Sequence, residues 1–269
     1  MKKRIIVGKC RICEVKGKLS KEHIPPKRAF NSGEFVVQTI DPFRMKEEIS
    51  WREQKKQGGY KAPVLCERCN NVTGHWYGSE YVKFAKVCAE YANRQFVNSR
   101  ASINIVDLYP QRVLKQALVT IIASSNPENE GKRSLISHPS NKDWAESGLD
   151  TDISIVHENL PAIREFILEK SLCELTSQLR IYLYLVCESG GRASGFAKVW
   201  SKKRNSSSVI AEFAMWPLGW VAVFEGELND DLCEVTQWSK LKYNEKITVN
   251  LDVPCLWLKS KMPVDYRDI

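Results

Sequence analysis

Two Cys-x-x-Cys pairs, Cys10-Arg-Ile-Cys13 and Cys66-Glu-Arg-Cys69, constrain this chain more than any other feature. Two such knuckles are the ligand set of a tetrahedral four-cysteine zinc site, with thiolates about 2.3 Å from the metal. The gap between the pairs exceeds the usual ribbon spacing of roughly 15–20 residues. A shared zinc would therefore clamp the base of a large excursion. That excursion carries Leu19-Ser-Lys-Glu-His-Ile-Pro-Pro-Lys27, with Glu22 and His23 at its centre. The second knuckle runs directly into Asn70-Asn71. The alternative for the four thiols is a set of buried or redox-active cysteines.

The chain has 269 residues, 43% hydrophobic and 27% charged, enough for one large or two modest domains. No run approaches the ~18 uncharged apolar residues of a membrane span. The basic start Met1-Lys-Lys-Arg4 is followed by too few apolar residues for the roughly 7–15 of a signal-peptide core. These features predict a soluble, cytoplasmic protein without a membrane partner. Nine cysteines then argue for metal and free thiols over a disulfide framework. Cys88, Cys173, Cys187, Cys233 and Cys255 sit singly and read as small hydrophobes. The formal net charge is +8, and the cations crowd the N-terminal third: Lys2, Lys3, Arg4, Lys9, Arg11, Lys16, Lys18, Lys21, Lys27, Arg28, Arg44, Lys46, Arg52, Lys55, Lys56 and Lys61. A polyanionic partner suits that clustering.

Residues 1–77 read as loop-rich with short strands, Glu34-Phe-Val-Val-Gln-Thr-Ile40 among them. Arg52 to Lys61 is either a phosphate-contacting arm or a solvated loop. From Ser79 to about Phe96 the apolar residues recur at helical spacing. Pro110 opens a second helix through Ile122, and Pro161 stands near the start of a third through Leu168. A loop spans Ser124 to Lys132. Strands are then expected at Leu179–Cys187, Phe196–Trp200, Val209–Trp216 and Trp220–Phe224, with an edge strand at Leu256–Leu258. The Gly190-Gly191 and Pro217-Leu-Gly219 turns between them predict an antiparallel sheet. A boundary is expected near residues 99–108 or 125–160.

The order Cys-x-x-Cys, Leu-x-x-Glu-His-Ile-Pro-Pro-Lys, Leu-Cys-x-x-Cys-Asn-Asn-x-x-Gly resembles the HNH endonucleases over about residues 10–96. These are ββα-metal nucleases, often with a four-cysteine zinc scaffold. The resemblance implies an α+β protein. Residues 1–98 would be the zinc-stapled nuclease module, and 99–269 a helical then antiparallel β-rich region for dimerisation, target choice or regulation. It implies that His23 deprotonates the water that attacks a DNA phosphodiester, a role suited to neutral imidazole. Glu22 and Asn70 would hold a catalytic Mg2+ or Mn2+ through oxygen, and Cys10, Cys13, Cys66 and Cys69 a structural zinc. A helix starting near Ser79 would aim its N-terminus at that centre. Lys61 stands where the family has an asparagine that braces the histidine loop, so either another group braces it here or the site is less efficient or decayed. In bacteria, such nucleases with an unfamiliar appended region often serve mobile elements or antiviral defence, an implication by analogy alone.

Other polar and aromatic residues near the motif have plainer readings. Asn71 reads as a turn or capping residue, His75 as a surface histidine, and His138 and His157 as incidental. Trp76 and Tyr77 read as anchors of the helix start more than as base-stacking platforms. A rival function keeps the cysteines and basic face as a catalytically decayed, zinc-stabilised nucleic-acid-binding protein. A third makes the β-rich half a sensor for a ligand or partner, with Trp200, Trp216 and Trp220 lining a pocket or forming core.

Overall fold

The computed structural model describes residues 5–33, 35–39, 52–94, 100–125, 154–175, 178–187, 191–201, 206–228 and 231–256. Several sequence expectations lie outside these residues: the loop from Asn126 to Lys132, His138, Gly190, Trp257 and Leu258, and the cations Lys2, Lys3, Arg4, Arg44 and Lys46. The described chain is a mixed α+β fold. No helix among the described residues is long and apolar enough to cross a membrane.

Strands β1 (Val7–Lys9), β2 (Lys16–His23) and β5 (Lys61–Cys66) form an antiparallel three-stranded sheet in the order β1-β2-β5. Between β2 and β5, β3 (Phe35–Thr39) and β4 (Arg52–Lys56) pair as a separate antiparallel ribbon. Arg52–Lys56 is thus a strand paired with β3 and not a loop, because its backbone is satisfied by that partner.

Helix begins at the knuckle itself. Cys66 is the N-cap of α1 (Glu67–Thr73), which continues through a π-helical turn (Gly74–Gly78) into α2 (Ser79–Ala92). The predicted start near Ser79 is therefore about three turns late. The reason is local: α1 carries Cys, Asn, Asn and Thr, poor helix formers, and the π-turn shifts the apolar phase before α2 restores it. Tyr81, Phe84, Ala85 and Cys88 then face the core as the period predicts.

The large sheet runs in the order β6-β12-β7-β10-β9-β8. Its strands are β6 (Arg100–Leu108), β7 (Arg180–Val186), β8 (Gly191–Ser201), β9 (Ser206–Met215), β10 (Leu218–Glu225) and β12 (Ile247–Leu256), with β11 (Cys233–Glu234) pairing β7. All its pairs are antiparallel except β12 on β7, so the sheet is mixed and the purely antiparallel expectation is corrected. The predicted edge strand at Leu256 is the end of β12, which lies inside the sheet between β6 and β7.

Helix α3 (Pro110–Ser124) has Pro110 in its first turn and buries every residue except Arg112 and Ser124. It packs between the zinc-site side of the molecule and the large sheet. Its polar side chains tie neighbouring loops: the Gln111 amide donates to the carbonyls of Leu172, Ser239 and Leu241, and buried Lys115 donates to those of Glu169 and Leu172. Burial holds the Lys115 pKa down at about 8. Helix α4 (Ser154–Leu168) starts seven residues before Pro161, which lies inside it and not near its start. Val156 and Leu160 on its first half are buried, and that packing extends the helix ahead of the proline. Trp220 is fully buried, donates to the Tyr81 hydroxyl at 3.0 Å and joins α2 to β10 as core. Trp216 packs edge-on against Phe30 at 4.5 Å, and the Trp200 side chain is outside the described atoms.

Candidate functional site

The sulfurs of Cys10, Cys13, Cys66 and Cys69 all lie within 4.8 Å of one another. Cys13 and Cys66 are 3.7 Å apart. A tetrahedral zinc with bonds of about 2.3 Å has sulfur–sulfur edges of about 3.8 Å, so the four thiols could hold such an ion. Each knuckle is shaped by its own backbone. In the first, Glu14 N–H donates to the Cys10 carbonyl at 2.8 Å, and Glu14 adopts a positive φ of 61° to close the turn. In the second, the Cys69 N–H donates to the Cys66 sulfur at 3.4 Å, which caps α1. A hydrogen bond from Cys69, helped by backbone N–H groups of Cys66, Cys13 and Ile12, holds the Cys10 thiol well below the ordinary cysteine range despite burial. Cys69 is pushed up in return.

The first knuckle is fastened to the helices. Arg11 donates to the Ala123 carbonyl at the end of α3 at 2.6 Å. Arg164 of α4 donates to the Arg11 carbonyl at 3.0 Å and pairs with Glu14 at 2.9 Å. Lys9 first, and Arg164 with it, hold the Glu14 carboxyl below its usual value.

Glu22, His23 and Asn70 share one cleft, with a volume of about 390 Å³. The antiparallel register pairs His23 with Lys61 at the start of β5 and Leu19 with Cys66 at its end, which sets the middle of β2 beside the start of α1. Asn70 donates to Ser20 Oγ at 3.3 Å, and its side chain also hydrogen-bonds the Glu22 carboxyl. Ser20 in turn donates to the Leu65 carbonyl at 3.1 Å, so the row is fixed to β5. Burial raises the Glu22 pKa, with the Asn70 amide and the His23 backbone opposing. The two oxygen donors, one ionisable and one neutral, fit a hard divalent cation.

His23 Nε2 is 3.1 Å from the Gly58 carbonyl. A carbonyl only accepts, so Nε2 carries the proton and Nδ1 keeps the basic lone pair. Burial lowers the His23 pKa below its ordinary value; the Lys61 and Lys27 charges add to this, while the Gly58 carbonyl opposes it. The imidazole is therefore neutral at pH 7.

The brace of the histidine loop is a residue that the sequence does not reveal. Buried Asn31 donates to the carbonyls of Pro25 at 2.7 Å and Tyr60 at 3.0 Å, and accepts from the Tyr60 N–H at 2.6 Å. Lys61 is exposed and makes no such link. Gly59 is required beside it: its φ is +80°, and a Cβ there would lie 2.1 Å from the Asn31 carbonyl oxygen. The only hint in sequence is Asn31-Ser-Gly33, which reads as a turn. Asn31→Ala is expected to cost about 2–4 kcal/mol in chemical denaturation, since it removes three hydrogen bonds and strands buried partners.

The remaining polar candidates lie elsewhere or face solvent. Asn71, His75 and His157 are exposed. Tyr77 is fully buried with its hydroxyl on the Ile167 carbonyl at 2.6 Å, and Trp76 packs edge-on to it, so both anchor the π-turn to neighbouring elements. Cys88 and Cys255 are buried, and Cys173, Cys187 and Cys233 partly so. No protein-family model, curated protein or solved structure matches this chain.

Proposed function

We propose that this protein is a metal-dependent endonuclease of the HNH type that hydrolyses DNA phosphodiester bonds. The observation that carries the reading is one cleft holding Glu22, Asn70 and a neutral His23 whose Nε2 is tied to a backbone carbonyl. Two antiparallel strands leading into a helix, with a four-cysteine cluster at its start, are the frame a ββα-metal nuclease uses. The Asn31 brace supports catalysis over the decayed-site alternative, because Lys61 leaves no gap in the histidine loop.

In this reading His23 Nδ1 accepts a proton from water as its oxygen attacks phosphorus, while the Gly58 carbonyl holds the ring. Glu22 and Asn70 would hold Mg2+ or Mn2+, and a bound ion would supply charge neutralisation at the phosphate and the leaving oxygen. Asn70 also orients the Glu22 carboxylate. Exposed Lys27 and Arg28 at the lip of the cleft meet flanking phosphates. The four cysteines would hold a structural zinc.

The test is incubation of supercoiled plasmid with Mg2+ or Mn2+. Nicked or linear product should form and should depend on the added ion. No product under either ion, with DNA still bound, would favour the non-catalytic binding protein. Affinity for DNA should also fall steeply with salt as cations displace counterions from phosphates. A flat dependence between low and physiological salt would show that the basic face does not contact the backbone.

A further inference from the structure

We infer that the cleft receives one unstacked base of single-stranded DNA and that Gln116 of α3 hydrogen-bonds it. The inference rests on the nuclease reading and specifies what the cleft engages: an unpaired base, offered by a single strand or by the locally opened stretches of a negatively supercoiled plasmid. Gln116 is 5% exposed and lines the cleft, yet its Oε1 is buried and accepts no hydrogen bond from any described residue. Such an orphaned acceptor is costly unless something donates to it. Neighbouring Thr120 does not, because its hydroxyl proton goes to the Gln116 backbone carbonyl at 2.9 Å. Every DNA base carries an N–H on its pairing edge that can.

The lining of the cleft leaves room for a flat ring. Gly74 and Gly78 face it from the π-turn, and a Cβ on either would meet no atom within 4 Å. Part of the lining is thus bare backbone. Val119 and Ala123 of α3, both buried and apolar, line the same cleft. A slot of about 390 Å³ lies in the ~300–1,000 Å³ range of ligand pockets. A base stacked in a duplex cannot enter it; a base in a single strand enters without the cost of unstacking. α3 lies beyond the zinc-clamped segment, so the base slot is built jointly by both parts of the chain.

The test measures binding by full-length His23→Ala, which does not cleave in this reading. Fluorescent probes are a short single-stranded oligodeoxynucleotide, its duplex, and an abasic deoxyribose-phosphate oligomer of equal length. The base-bearing single strand should bind about 10-fold more tightly than the abasic oligomer. Gln116→Leu and Gly78→Leu should each shrink that ratio to about 3-fold or less, with abasic affinity unchanged. Gly78→Leu fills open space and raises helix propensity, so a circular-dichroism melt should show it folded. Equal binding of base-bearing and abasic strands, a preference for the duplex, or a full ratio in both variants would overturn the base slot. Plasmid cleavage that depends on His23 would in that event still uphold the nuclease. Base discrimination without any cleavage would uphold the slot and refute the nuclease.

Discussion

Cys66→Ser should take the purified protein from about one zinc per chain to almost none and unfold the sheet around the knuckles. Cys66 has three tasks in the structure: it completes the sulfur cluster, caps α1, and ends the strand that carries the partner of Glu22. Structural zinc contributes apparent free energies of about 10–16 kcal/mol at neutral pH, more than most domains have in reserve. The β1-β2-β5 sheet is too short to replace that loss with its own core. Damage should also spread outward, because Arg11 and Arg164 couple the first knuckle to the ends of α3 and α4. Metal analysis and amide exchange would read both effects. Amides of β2 and β5 should lose protection first, while β9 and β10, buried in the large sheet, hold longest. A metal-free wild type that is fully folded and fully protected would sink the zinc assignment.

How much of this could be seen in the residues alone depends on the range of the interaction that fixed each element. The cysteine pairs were legible because coordination chemistry dictates their local spacing. Glu22, His23 and Asn70 were named only through the resemblance to the HNH endonucleases, and the structure brings them to one cleft. Asn31 was not legible: its partner Tyr60 is far along the chain, and an asparagine before Ser-Gly looks like any turn. The early start of α1 was hidden by the π-turn, which breaks the 3.6-residue phase between Cys69 and Tyr81. Strand β6 alternates cleanly, with Ala101, Ile103 and Ile105 inward, yet the stretch reads as a boundary because its partner β12 lies at the other end of the chain. The parallel pairing of β12 with β7 is likewise a long-range choice that no local signal records. Gln116 is the extreme case. It lies on the side of α3 opposite the apolar face that the sequence shows, beside Val119, Thr120 and Ala123, and the missing hydrogen bond sets it apart.

His23→Ala should leave fold, zinc content and DNA affinity in place and lower the cleavage rate by about 10²–10⁴-fold, the usual worth of a general base. The fold should survive because the ring is only partly buried and makes one hydrogen bond, to Gly58. The pH profile supplies a second signature. Neutral imidazole is the active form, so the rate rises as the proton leaves and levels off above the His23 pKa. Burial, with Lys61 and Lys27, moves that pKa down, so the plateau should begin at lower pH than an ordinary histidine would give. The Glu22 carboxyl, raised by burial, also titrates on the acid side and must ionise to hold a cation. Saturating Mg2+ competes its proton away and leaves the His23 limb alone. Glu22→Ala and Asn70→Ala should instead weaken cation binding, and higher Mg2+ should partly rescue them, as it cannot rescue His23→Ala. Equal cleavage by His23→Ala and wild type, with contaminating nuclease excluded, would refute the assignment. If wild type yields no cleavage under any divalent ion or partner tried, the zinc-stabilised binding protein becomes the better account, with Asn31 and Gly58 holding a histidine that only contacts phosphate.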